Sequence, residues 1–343
     1  MSWISKAELV AAVSKAGGVG ILATGPLNAE ETRAEIQKVK KLAPGKPFGI
    51  GATLLMPGAA ENAKVALEEE VPLINVSLGK PDWIAEEAHK YGGKVLCTVT
   101  NAEHASKAID NGADLLMVTG HEAAAHGGDV TSLVLVPSLA NQFPDIPIVA
   151  AGGFADGRGL AAGLSLGADA VAFGTRFATT MESPLAQHTK NVIASLDSTE
   201  MKTIYNKNFD GIPARVLASP AAIEANRKRQ AFPVVMWRAF KAAQSMGIPL
   251  WKVIPGLLTQ YEKMYAVAQF GAATEAIMAA TVDGELEKKG VQFVGQCQGL
   301  IHDIPYVDEL VQRIVSEAKQ ISQDNAIKFG CHYDDSNKQS YGT

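Results

Sequence analysis

Over the first 180 residues, short near-continuous apolar runs alternate with amphipathic segments, and this alternation restricts the fold more than any other feature. The apolar runs are Gly18–Leu22, Phe48–Thr53, Leu73–Ser77, Lys94–Val99, Leu115–Thr119, Pro147–Ala151 and Ala170–Phe173. A strand that is apolar at nearly every position is covered on both faces, as parallel strands in α/β proteins are. The intervening segments Ala7–Lys15, Ala29–Leu42, Ala59–Glu69, Pro81–His89, Ala102–Asn111 and Gly157–Leu166 have helical periodicity. Together they specify a parallel sheet with a helix between successive strands.

Two strand ends narrow the choice. Ile146–Phe154 closes on Gly152-Gly153, and one unit later Ala170–Phe177 contains Gly174-Thr175. Glycine allows close backbone approach to a ligand, and the N–H groups at a helix start attract an anion. In a (β/α)8 barrel the loops after the last two strands form the usual phosphate site. The spacing is not the dinucleotide G-x-G-x-x-G fingerprint. The expected fold is therefore α/β, a (β/α)8 TIM-type barrel with an additional helical subdomain. Seven strands are read where such a barrel has eight, and the chain opens on the segment that should follow a first strand. That first strand is expected to be missing, which makes the N-terminus the weak point for stability and ligand retention.

Beyond Asp197 strand signals nearly vanish. The expected division is a barrel over residues 1–200, a helical cap over 201–290, a C-terminal helical return over 291–326 and a disordered tail over 327–343. The return carries an amphipathic helix, Tyr306–Ile321. Phe232–Tyr265, rich in Trp, Phe, Met and Val, reads as a cap over the barrel mouth, or else as a groove for an apolar substrate or partner.

Composition excludes several function classes. With 343 residues, 47% hydrophobic and 20% charged, the chain supports a large core. A net charge of −5 offers no general attraction to nucleic acid or an anionic membrane. No apolar run reaches the length of a membrane span, and no signal-peptide core follows Met1. Cys97, Cys297 and Cys331 form neither a metal spacing nor a disulfide framework, so a cytoplasmic protein is expected. Cys97 reads as a small buried hydrophobe.

The loop after the fifth strand, Thr119-Gly120-His121-Glu122-Ala123-Ala124-Ala125-His126-Gly127-Gly128-Asp129, lies at the barrel face where active sites sit. Its histidines are five apart, about 140° around a helix, so they do not form a zincin pair and no metal is expected. On residue chemistry alone, His126 reads equally as a catalytic base or as a loop histidine bonded to a backbone carbonyl.

These stretches resemble the nitronate monooxygenase family (2-nitropropane dioxygenases), FMN-dependent (β/α)8 barrels. Met1–Gly18 is similar to the segment after the family's first strand. Gly120–Gly128 is similar to its G-x-E-A-G-G-H-x-G loop, with Ala125 in place of a glycine. Ala151–Arg158 through Gly174–Phe177 is similar to its flavin phosphate region. The same framework serves NADH:quinone reductases and an FMN-dependent enoyl-acyl-carrier-protein reductase, and Gly295-Gln296 with Gly299-Leu300 looks like the C-terminal region of those enzymes. The resemblance implies that His126 is catalytic and that Gly152, Gly153, Gly174 and Thr175 contact the FMN phosphate. It implies that Met1 and Ser2 face the flavin ring and that Ala124 and Gly128 make loop contacts. Gly51 falls near the flavin where relatives carry asparagine, and Thr98 falls where some carry lysine. The function implied is oxidation of alkyl nitronates by oxygen to carbonyl compounds and nitrite, with His126 handling a proton. The alternatives are an NAD(P)H-dependent reductase of a quinone or enoyl thioester, and a degenerate barrel acting as a partner-binding subunit. A homodimer is compatible with each.

Overall fold

Each apolar run forms a strand. In the computed structural model they are β1 (Gly20–Ala23), β2 (Phe48–Thr53), β3 (Leu73–Ser77), β4 (Lys94–Val99), β5 (Leu115–Thr119), β6 (Ile148–Ala151) and β7 (Ala170–Ala172). The structure describes residues 1–195, 202–227 and 261–330, with Ala231, Pro233, Val234 and Trp237 between the last two ranges. Most of Phe232–Tyr265, and the tail beyond Gly330, lie outside the described residues. The seven strands are all parallel and pair in chain order, giving a curled sheet of TIM-barrel type. Among the described residues no eighth strand joins β1 to β7. β1 starts later than expected because Gly17 and Gly18 end the first helix, donating to the Ser14 and Val13 carbonyls.

The crossover helices are α1 (Ala7–Lys15), α2 (Ala29–Leu42), α3 (Ala59–Glu68), α4 (Asp82–Lys90), α5 (Ala102–Asp110), α6 (Ser132–Gln142) and α7 (Gly157–Ser165). Their starts are written in the sequence. Asn28 and Glu31 form a reciprocal capping box on α2, and Asn101 and Asp156 cap α5 and α7. The helices bury Ile36, Val39, Ala66, Ile84, Ala88, Val136 and Leu139 against Leu22, Ile50, Ile74, Val95, Leu116 and Ile148. Truncating one such side chain, for example Ile74→Ala, would cost about 2–5 kcal/mol. Cys97 lies in this outer layer, and burial pushes its thiol up to about 12.

Because successive strand residues alternate faces, the residues between these core positions line the concave side of the sheet. That side carries apolar residues such as Leu96 and Met117, and between them small or polar ones. Thr53 bonds Ser77 at 3.1 Å and Thr98 bonds Asn75 at 3.1 Å, while Gly51 sits in register between Ala23 and Asn75.

After β7 come α8 (Thr175–Ala178) and α9 (Gln187–Ala194). The region expected to be all helix then departs from that reading. β8 (Thr203–Asn206) and β9 (Ala214–Leu217) form an antiparallel hairpin. It precedes α10 (Pro220–Arg227), α11 (Tyr261–Thr281), a 3₁₀ turn at Gln296–Leu300, and α12 (Val307–Lys328). α12 extends past the expected Tyr306–Ile321 and returns to the barrel, where Glu317 accepts the Gly157 N–H at the start of α7. A buried Arg176 in α8 reaches the Asp303 carboxylate and carbonyl at 2.9 and 2.7 Å, and Asp303 also binds Arg313 of α12.

Candidate active site

The loop between β5 and α6 is pinned from below by the barrel. Gly120 N–H donates to the Ala151 carbonyl, and His121 N–H to that of Val130. Glu122 is structural: its carboxylate accepts from the Ser132 backbone and hydroxyl at 2.9 and 3.1 Å and so caps α6. His121 donates from Nδ1 to the Gly128 carbonyl at 2.9 Å. The backbone-bonded histidine considered for position 126 is thus found at position 121.

From above, the loop is gripped by the hairpin. Ala125 and Arg215 exchange both backbone hydrogen bonds, at 3.1 and 2.9 Å. The Tyr205 hydroxyl donates to the Gly127 carbonyl at 2.8 Å. Asp210, in the hairpin turn, accepts from His126 Nε2 at 2.8 Å. Asp210 is fully buried, while the His126 side chain is 20% exposed. A carboxylate only accepts, so Nε2 donates in this bond. This is the arrangement in which a carboxylate orients an imidazole that takes up a proton.

Beside this loop lies the glycine-lined ground after β6 and β7. Gly152 and Gly153 have φ of 102° and 88°, conformations that disfavour any side chain. A Cβ at Gly152 would also come within 3.0 Å of the Gly120 carbonyl, and one at Gly153 within 3.3 Å of Glu122. These two glycines therefore let β6 pass close under the histidine loop. Gly174 differs: a Cβ there would meet nothing nearer than the Met1 sulfur at 3.9 Å. α8 begins just beyond it, so the N–H groups of Thr175, Arg176 and Phe177 have no acceptor within their own helix. The start of α7 is unlike this, because Asp156 and Glu317 already accept its Gly159 and Gly157 N–H groups. An anion would find open donors at α8.

The remaining candidates have the following neighbours. Thr175 is buried, and its hydroxyl accepts the Gly295 N–H at 3.0 Å. Gly295 lies close to the Ala124 backbone, and the next residue, Gln296, donates to the Glu122 carbonyl. Gly128 packs on Thr100 at the end of β4. Met1 borders Gly174, and Ser2 borders Gly25 after β1. Gly51 lies on the concave side of β2, where a Cβ would have 3.7 Å of clearance.

Sequence reasoning missed Tyr205, Asp210 and Arg215. The signal was present: Asp210-Gly211 is a turn dipeptide between two runs with β-formers. Arg215 is 2% exposed and has no ion-pair partner among the described residues. Its guanidinium donates to the His121 carbonyl at 2.9 Å and to Thr203 Oγ1 at 2.9 Å, and it lies 5.1 Å from the Tyr205 ring centre. Burial lowers its pKa, while Tyr205 and Glu122 act in the opposite direction. Burial pushes the Cys297 thiol, near Thr175, up to about 11, which favours the neutral thiol. Among the described residues no cluster of His, Cys, Asp and Glu could hold a metal, and no helix is long and apolar enough to cross a membrane.

Comparison with known proteins gives a consistent picture. The family model for nitronate monooxygenase matches residues 1–69 and 59–317. A Mycobacterium tuberculosis protein named (3aS,4S,5R,7aS)-5-hydroxy-7a-methyl-1-oxo-octahydro-1H-indene-4-carboxyl-CoA dehydrogenase is 34% identical, over 93% of this chain and 91% of its own length. A probable nitronate monooxygenase of Staphylococcus saprophyticus is 29% identical over 61% of this chain and 71% of its own length. The solved structure of FabK from Thermotoga maritima superposes with a TM-score of 0.77 at 31% identity, covering 96% of this chain and 93% of that one.

Proposed function

The chain belongs to the nitronate monooxygenase family, and on that premise we propose that this oxidoreductase is FMN-dependent and removes a proton from an activated carbon of a bulky acyl-CoA thioester. The observation that carries the reading is the His126–Asp210 pair, which places an oriented base beside an open anion cradle at the mouth of the barrel. The space at Gly174 and the open donors of α8 fit a flavin phosphate, with Gly153 and Thr175 beside them. Gly152, Gly128, Ala124, Gly51, Met1 and Ser2 shape the surrounding walls. A cytoplasmic setting, with Cys97 and Cys297 as free buried thiols, is part of the same reading.

When bound, FMN supplies a two-electron acceptor. The protein's part is proton handling. His126 takes the α-proton of the thioester, and the Asp210 carboxylate stabilises the imidazolium that results. With the α-proton held by His126, the hydride equivalent leaving the β-carbon would be what a bound flavin accepts, so that forming the carbon–carbon double bond would balance in atoms and electrons. The thioester assignment draws support from the M. tuberculosis relative, which this chain matches over nearly its whole length. A nitronate is the second reading, favoured by the family model and by the S. saprophyticus relative. Both substrates are carbon acids, and His126 serves either.

The test is anaerobic mixing of the FMN-loaded protein, separately, with cyclohexanecarboxyl-CoA, ethyl nitronate and NADH. Loss of the flavin's visible absorbance with the thioester is expected. A response to the nitronate alone would move the assignment to the second reading, and one to NADH alone would make the enzyme a reductase. Failure of all three, with flavin bound, would overturn the proposal.

A further inference from the structure

The histidine loop contains a kink that its own sequence does not favour. Ala125 has a φ of 58°, a left-handed conformation that costs a residue with a side chain and that glycine adopts freely. The strained residue immediately precedes His126, so relaxation at Ala125 would carry the imidazole away from Asp210. Something outside the loop has to hold it.

Arg215 is built to do this. Its backbone exchanges two hydrogen bonds with Ala125 itself. Its side chain, nearly inaccessible to solvent, spends two donors on the His121 carbonyl at 3.3 and 2.9 Å, and so grips the loop at its other end. Thr203 Oγ1 accepts a third, and the guanidinium lies against the Tyr205 ring. A buried guanidinium without a carboxylate partner is costly, and a neutral residue would pack there with less penalty. Its planar fork reaches carbonyl and hydroxyl together, which a lysine cannot reproduce.

We propose that Arg215 is a positioning residue for His126: its guanidinium clamps the loop at His121, which steadies the backbone pairing at Ala125, holds the left-handed kink, and so keeps the imidazole on Asp210. The inference rests on the reading of His126 as the base, and its primary readout does not depend on turnover.

In ¹⁵N-histidine-labelled full-length protein, the His126 Nε2–H resonance, identified by its loss in His126→Ala, reports the bond to Asp210. It is expected in the wild type, lost in Arg215→Met, and restored when Ala125→Gly is added, because glycine removes the strain that the clamp opposes. In parallel, reaction of the FMN-loaded enzyme with cyclohexanecarboxyl-CoA should fall on the order of 10²-fold in Arg215→Met, as misplacement of a catalytic group by about 1 Å does. The double variant should recover at least about tenfold of that loss. Recovery through glycine separates positioning from general destabilisation. A resonance intact in Arg215→Met, or one lost and not restored by Ala125→Gly, overturns the proposal. If Arg215→Met does not fold, Thr203→Val removes one guanidinium bond while keeping the packing. A shifted His126 resonance there then supports the clamp, and an unchanged one contradicts it. Full activity in His126→Ala would sink the base reading instead, leaving the resonance pattern to decide the clamp.

Discussion

His126 and Asp210 stand 84 positions apart and share a 2.8 Å hydrogen bond, with the carboxylate fully buried and the imidazole partly exposed. The barrel supplies the histidine and the hairpin after it supplies the acid. The catalytic unit is therefore assembled across two parts of the chain that periodicity reads as separate.

His126→Ala should lower the rate on a carbon acid by on the order of 10²–10⁴ while leaving flavin content unchanged. Asp210→Asn should fall in the same range, because an amide no longer enforces the Nε2–H tautomer. Steady-state rates and the flavin-to-protein ratio check both. Wild-type rates in Asp210→Asn would remove the carboxylate from the mechanism.

Gly174→Leu should abolish flavin retention yet fold normally. A Cβ at Gly174 is clear of every atom out to the Met1 sulfur at 3.9 Å, so the fold should tolerate the side chain with a change of about 1 kcal/mol or less. Absorbance of the purified variant, with a urea melt, separates the two effects. A yellow, stoichiometrically loaded Gly174→Leu protein would move the phosphate elsewhere.

Ala125→Gly alone should stabilise the protein. Relief of the left-handed conformation is worth about 1–2 kcal/mol. The greater freedom of glycine in the unfolded chain takes back about 0.4–1 kcal/mol. A net gain of about 0–1.6 kcal/mol, the difference of those two terms, is expected in urea unfolding.

The barrel was legible because its strands are apolar on the face that meets the helices, as Ile50, Ile74 and Leu116 show. The hairpin left a weaker signal, the Asp210-Gly211 turn alone, because every residue of Thr203–Asn206 is only half buried and the run carries polar side chains. The histidine loop and the glycine-ended strands could be located in the sequence. What each glycine does could not: Gly152 is set by the Gly120 carbonyl, 32 positions earlier, and Gly174 by empty space. Nothing in the sequence singles out Arg215, since the carbonyl it binds belongs to His121, 94 positions earlier.

Asp303 joins buried Arg176 to Arg313. Desolvation raises its pKa, but the bonds from Arg313 and Arg176 outweigh this and hold it below the ordinary aspartate value. Its stabilising contribution is therefore complete above that ordinary value and is lost as pH falls through the lowered one. Asp303→Asn should cost on the order of 1 kcal/mol at neutral pH, since the carboxylate is partly exposed and screened. The variant should show a shallower loss of stability below pH ~4. Urea melts across an acid series check this, and parallel acid limbs would contradict it.

The central claim is that His126 removes a proton from carbon, and hydrogen exchange at that carbon tests it most directly. Cyclohexanecarboxyl-CoA is incubated with the FMN-loaded protein in D₂O, and deuterium entry at the α-carbon is followed by NMR. The account predicts exchange by the wild type and its loss in His126→Ala. Exchange at the same rate in both proteins, or flavin reduction by the thioester in His126→Ala at the wild-type rate, would contradict it.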